Sequence, residues 1–471
     1  MHLTFRRAAL LAAAAAPLSA PLAAQHNAPA TYAITNARLV PVSGPVIANG
    51  TIVVRDGLIA AVGANIAVPS DARVIDGTGL TVYPGLFDSY GSIGLAAPAA
   101  AGAGGRGGAA AAPAASPSGL GRSGSGATAD DPRGVSPELR AAEQVRLDED
   151  ALDGPRSAGI TTALTGPTTG VFQGQSALIN LEGSTPAAMI VRANVAQNVS
   201  FSSGRGGGGG GYPGSLMGIF AVFRQELLDA QRYHDLKAAY DKNPRGMQRV
   251  EFDPALESLQ PVLARQQPVI MTASSQREIE RALDLAHEFN IHIMIAGGTE
   301  AYLLADRLKA DNVPVLLSLN FPRRTAPTQP DAEPDPVRVL RERVNAPKGP
   351  GRLAASGVKF AFESGGLNNW ADFTANVQRA VDAGLPADQA VRALTLTPAE
   401  LFGVGDRMGS LEPGKIANLT VMRGEITDKS ARVTQLFVDG RPVALHPPTN
   451  ANAGGGRPNA AAAAPIDPEV R

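Results

Sequence analysis

The sequence predicts an α/β protein with a parallel sheet, flanked by β-rich segments near both ends that join in one smaller domain. Three observations carry this. Apolar strand-like runs alternate with amphipathic helical patterns from about residue 158 to residue 400, the order that buries a parallel sheet among helices. Residues 32–82 are short β-rich runs separated by turn signals, and residues 415–440 repeat that texture. At 471 residues, 44% hydrophobic and 18% charged, the chain has globular composition and room for both regions.

Taken in order, residues 1–24 combine Arg6-Arg7 with the apolar run Ala8 to Ala24 and small residues before Gln25. That is the layout of a secretory signal, with cleavage expected after Ala24 and a periplasmic address. No later segment is apolar and long enough to span a bilayer. The absence of cysteine excludes thiol catalysis, thiolate metal sites and a disulfide framework. A net charge of -1 argues against nucleic acid as a partner and against charge-driven membrane binding.

Strands are expected at Ala33–Asn36, Gly50–Arg55, Leu58–Val62 and Val74-Ile75. Asp56-Gly57 between two apolar runs marks a type I′ hairpin, which needs positive φ at both central residues. Residues 25–83 and 409–446 are read as the two parts of a β-sandwich built from both termini, with residues 84–408 inserted between them. Residues 96–131 and 203–214 collapse to Ala, Gly, Pro and Ser and are expected to be loops, and 447–471 to be a disordered tail.

Within the middle region, Ala158 to Leu164 reads as a helix end followed by a strand, and Pro268–Thr272 as a buried strand. Ser275-Gln-Arg-Glu278 is a capping box, starting a helix to about Phe289 with Ile279, Ala282, Leu283 and Ala286 inward. Asn290–Ile295 is the next strand, Thr299–Leu308 the next helix, and Val313–Leu317 and Val358–Phe362 are further strands. A helix follows with Phe373, Val377, Ala380 and Val381 inward. Gly174-Gln175-Ser176 is read as a turn.

Several stretches, in order, resemble the imidazolonepropionase-like branch of the amidohydrolase superfamily. They are Ile59-Ala-Ala-Val-Gly63, Val74-Ile-Asp-Gly-Thr-Gly79 running into Tyr83-Pro-Gly-Leu86, Gly159-Ile-Thr-Thr162, Gly298-Thr-Glu-Ala301, Thr395 with Pro398-Ala399, and Gly409-Ser-Leu-Glu-Pro-Gly-Lys-Ile-Ala417. The resemblance implies a (β/α)8 TIM barrel, a metal-dependent hydrolase-like fold, with function at the C-terminal strand ends. Such proteins use zinc or another divalent metal to activate water. In Pro84-Gly-Leu-Phe-Asp-Ser-Tyr-Gly-Ser92, Tyr90 and Ser92 stand where the superfamily has its strand 1 histidine pair, and strand alternation is expected to aim both inward. The strand 5 ligand falls on Thr272, the strand 6 ligand on Gly297 (or Ala296), and the strand 8 aspartate on Gly365. No metal is predicted.

Histidine arithmetic agrees with this. His2, His26 and His446 lie in the signal, at the mature N-terminus and beside the tail, while His234 and His287 sit in helical patterns and His292 early in a strand. Asp88, Glu300 and Glu363 lie near strand ends, where hard cations accept oxygen ligands. Asp88 reads as structural and Glu300 as opening a helix. Glu363 is expected to alternate away from the pocket. Asp88 and Glu363 are the weak catalytic candidates.

Function is then expected to be that of a degenerate homologue, acting as partner subunit of an intact amidohydrolase or as a small-ligand binder, with Tyr90, Ser92, Thr272 and Ser274 lining a polar pocket. The alternative is an active hydrolase of C–N bonds other than peptide bonds, on cyclic amides or dipeptide-like substrates, with an oxygen-ligand metal site. A third reading is an interaction protein working through the Ala/Gly-rich loops.

Overall fold

The computed structural model describes residues 31–95, 134–201, 213, 215–323, 335–367, 369–428 and 430–445. The expected leader, the tail 447–471, the loop 96–131 and, apart from Pro213, the loop 203–214 lie outside the described residues. Strands follow in the order β1 (Tyr32–Leu39), β2 (Ile47–Arg55), β3 (Leu58–Gly63), β4 (Arg73–Asp76), β5 (Leu80–Pro84), β6 (Leu86–Gly91), β7 (Ile160–Thr165), β8 (Phe172–Gln175) and β9 (Ala177–Asn180). Then come β10 (Ile190–Arg192), β11 (Gln197–Ser200), β12 (Val269–Ala273), β13 (Ile293–Gly297), β14 (Val315–Ser318), β15 (Phe360–Glu363), β16 (Leu419–Arg423), β17 (Arg432–Val438) and β18 (Arg441–Val443).

The terminal strands are hydrogen-bonded in one eight-stranded network, with path β18-β17-β16-β5-β1-β2-β3 and β4 attached to β1. Strands from before and after the inserted region meet in it through β5 and β16. Asp56 and Gly57 adopt φ of 53° and 81°, as a type I′ turn requires. Tyr32, Ile52, Leu419 and Phe437 share its core, and the rings of Tyr32 and Phe437 meet edge to face at 5.5 Å.

The inserted region sets a four-stranded sheet, β10-β9-β7-β6, and a six-stranded sheet, β15-β14-β13-β12-β11-β8, in an open ring among helices. β6 pairs parallel with β7, and β11 to β15 pair parallel in succession. Between these two groups the chain runs against its neighbours, since β9 is antiparallel to β7 and β8 is antiparallel to β11. Seven strands are thus parallel and the remaining place is filled by the run Phe172–Asn180. Gly174 and Ser176 lie in this extended run and not in a turn. Gly174 has φ of 108°, and a Cβ there would come within 2.6 Å of the Leu139 carbonyl, so glycine permits a close approach of backbone. β15 lies beside β6 without a hydrogen-bonded ladder among the described residues.

Alternation along each parallel strand divides two cores. Met271, Ile295, Val315 and Phe362 face the helices, while Phe87, Leu164, Ile270, Met294, Leu316 and Ala361 fill the ring interior. Each such buried side chain contributes about 1.5–3 kcal/mol of transfer free energy. The helix Gln276–Phe289 carries the expected capping box, with Ser275 and Glu278 satisfying each other's backbone N–H groups. It ends on Asn290 at φ 52°, which delays the next strand to Ile293. The helix expected at 299–308 is a 3-10 turn, Ala301–Leu304, followed by Ala305–Ala310.

A buried polar knot joins sheet to ring. The Asn418 amide donates to Thr162 Oγ1 (3.1 Å) and Asn180 Oδ1 (2.9 Å), its carbonyl accepts from Asp439 N (2.8 Å), and Thr420 Oγ1 donates to the Gly159 carbonyl (2.7 Å). Replacing Asn418 strands buried partners on both sides. Asn418→Ala should lower stability by about 2–4 kcal/mol, read as a reduced urea midpoint, whereas Gln389→Ala, exposed on a helix, should leave it nearly unchanged.

Candidate functional site

The C-terminal ends of the parallel strands hold a cluster of buried polar groups. Asp88, in β6, is fully buried and its carboxylate accepts from Ser364 N (2.8 Å), from Ser364 Oγ (2.7 Å) and from Tyr90 N. Ser364 directly follows β15, so this carboxylate bridges the two strands that lack a ladder. Burial raises its pKa from 3.8 to about 6, against the lowering effect of those three donors. Asp88 is thus held between β6 and the residue after β15 by these three donors.

Tyr90 points into the ring. Its hydroxyl lies 3.3 Å from Gln173 Oε1 and hydrogen-bonds Thr272, and burial pushes its pKa up to about 12, so it is a neutral donor. Ser92 does not join it. β6 ends at Gly91 and Ser92 is exposed just past it, because the strand stops one residue short. Ser274, exposed beyond the end of β12, has its Oγ against Gly297. Of the four expected pocket residues, the structure joins Tyr90 and Thr272 by a hydrogen bond.

Glu363 corrects a second expectation. It shares its strand face with Ala361, an interior residue, so it faces the ring rather than away from it. It is 4% exposed, and its carboxyl accepts the Gly297 N–H. Burial, then the neighbouring Asp88 charge, raise its pKa well above 4.5. Two carboxyls under these constraints favour a protonated Glu363 that can donate as well as accept.

Gly297 and Gly365 stand at φ 92° and 62°, and a Cβ there would come within 2.6 Å of Ser274 Oγ and 2.0 Å of Ser318 Oγ, respectively. These positions are shaped to glycine. Glu300 is not in the cluster, since it caps the helix that begins at Gln276 by accepting from Gln276 N at 2.7 Å. His234, His287 and His292 lie outside the ring on Gln260, Asp311 and Arg265. Among the described residues no group of three or more His, Asp or Glu side chains is placed to hold a metal ion. The donor set at the mouth, a phenol, alcohols, amides and two carboxyls of which one is committed to Ser364, does not fit a transition metal.

Two participants escaped the sequence reading. Gln173 holds Tyr90, and Asn198 is fully buried with both amide atoms unpaired. Asn198 pairs in register with Ile270, an interior residue, and its Nδ2 would lie 2.1 Å from a Cβ placed on Gly166. The available signal was an amide set in a strand-like run, which turns and caps share.

The parallel strands thus end in a polar mouth, and comparisons with known proteins bear on the fold that carries it. Residues 330–443 match the Amidohydrolase family model. The crystal structure of an amidohydrolase from Thermotoga maritima MSB8 is similar with a TM-score of 0.71 at 24% identity, covering 88% of this chain and 100% of that one. A prolidase crystallised with N-methylphosphonate-L-proline is similar with a TM-score of 0.53 at 16% identity, over 88% of this chain and 100% of that one. No curated protein matches the sequence. The family match covers residues 330–443, and the solved structures share the fold.

The two buried carboxyls imply a specific pH response. Both retain protons in the fold at pH values where the unfolded chain has released them, so stability declines as pH rises from about 4 through 6 and beyond. Glu363→Gln keeps an acceptor for the Gly297 N–H and removes its share of that decline. Urea midpoints at about pH 5 and pH 8 should therefore differ less in Glu363→Gln than in the parent. An equal or larger difference contradicts the assignment.

Proposed function

We propose that this chain is a catalytically degenerate member of the imidazolonepropionase-like branch that binds a small polar molecule at the mouth of its ring. The observation that carries the reading is the donor set. Tyr90, Thr272, Gly297 and Gly365 stand where the resemblance puts metal ligands, and they supply hydroxyls and backbone in place of imidazoles and a carboxylate. Left-handed backbone at both glycines disfavours the missing side chains. What the site offers is neutral hydrogen bonding: the Tyr90 hydroxyl, the Thr272 hydroxyl, the unpaired Asn198 amide and a protonated Glu363. An unpaired buried amide costs about 1–3 kcal/mol, which a ligand carrying amide groups would recover. A cyclic amide or dipeptide-like molecule has that complement. The leader-like residues 1–24 support a periplasmic address, and association with an intact homologue is compatible with binding.

Metal content and turnover test this directly. Protein purified without chelators should carry well under one zinc, manganese or iron per chain and should show no amidase or dipeptidase turnover. Stoichiometric metal together with turnover would establish an oxygen-ligand hydrolase instead. The complementary variant, Gly297→His with Gly365→Asp, should fail to acquire zinc and should be destabilised by about 1–3 kcal/mol per site, seen as a lower melting temperature.

A further inference from the structure

The opposite end of the ring carries a cavity of about 560 Å³, at the N-terminal ends of β12 to β15 and remote from Tyr90 and Glu363. Its floor is apolar, made of the buried residues Leu283, Ile293, Met294 and Val313. The volume is that of a site for a small organic molecule. Its rim is cationic. Arg265 and Lys359 both line it, and neither has a carboxylate partner among the described residues. The one rim carboxylate, Asp311, is engaged by His287 Nε2 at 3.0 Å and by Arg307 Nε at 3.7 Å.

Arg265 is held in place by an imidazole and an amide. Its Nε donates to His292 Nε2 at 3.0 Å, its Nη2 meets the same nitrogen, and its Nη1 donates to Asn290 Oδ1 at 2.8 Å. A guanidinium has five N–H groups and is always charged, so these contacts orient it and leave donors and the full charge for a ligand. Its backbone lies at φ 58°, as Asn290 and Asn312 do at the equivalent helix-to-strand turns on this face. Asparagine tolerates that region, whereas arginine gains nothing from it locally, so the position is occupied at a conformational cost.

The geometry points to a second ligand site here, for a small organic acid whose carboxylate meets Arg265, with Lys359 adding positive charge elsewhere on the rim, and whose apolar body lies over Ile293 and Val313. The site is independent of the mouth and of the reading given for it. Inorganic anions satisfy the rim alone and neutral apolar molecules the floor alone.

Calorimetric titration of the full chain with phenylacetate, 2-phenylethanol and inorganic phosphate separates these. Phenylacetate should bind in the millimolar range or tighter, and at least about tenfold more tightly than either of the others. Arg265→Gly suits the left-handed backbone and removes the guanidinium, so it should weaken phenylacetate about tenfold or more without lowering the melting temperature, and Lys359→Gln, which removes rim charge only, should weaken it less than Arg265→Gly does. Thr272→Val, at the mouth, should leave the affinity unchanged. The proposal is overturned by absence of phenylacetate binding, by phosphate or phenylethanol binding equally well, or by affinity lost in Thr272→Val and kept in Arg265→Gly.

Discussion

A single buried carboxylate joins the first and last parallel strands of the ring. Asp88 reaches from β6 to both the backbone and the side chain of Ser364 after β15, across the seam where no ladder of backbone bonds runs. A charge with no solvent and no cation is costly, and its pKa is displaced toward neutrality as a result. Three short-range donors offset part of that cost. Everything at the mouth is arranged around this compromise: Tyr90 is set by the same strand, and Glu363 feels the same charge and keeps its proton.

The polar interior is organised in layers. Asn418, Thr162 and Asn180 close the ring toward the terminal sheet, an apolar belt of Phe87, Ile270, Met294 and Leu316 fills its middle, and Tyr90, Thr272 and Glu363 crown it. The first layer is fully paired and welds sheet to ring. The last contains groups that are neutral and incompletely satisfied, the condition in which a bound molecule, rather than the protein, completes the hydrogen bonding.

Local signals in the sequence translated well. The Asp56-Gly57 turn and the Ser275–Glu278 capping box depend on residues within four positions of one another, and the structure shows both. The parallel strands β12 to β15 were legible because each apolar run is bounded by helix signals. What escaped depends on partners far along the chain. Gly174-Gln175-Ser176 looks like a turn until Leu139 and Ala196 supply its backbone bonds. The inward aim of Ser92 failed because β6 stops at Gly91, and that of Glu363 was misjudged although residues two apart on a strand share a face. Which strands join the two terminal segments is a matter of hydrogen bonding between β5 and β16, which alternation does not encode.

That last pairing has a kinetic side. Pro84 meets Leu419 across the whole inserted ring, so the sheet cannot be completed until the chain's late strands have emerged and found β5. Closing so long a loop carries an entropic toll that local hairpins do not face. β1 to β3 can zip early through their own turns, while the exposed flank of β5 must wait, unpaired, for a partner made last.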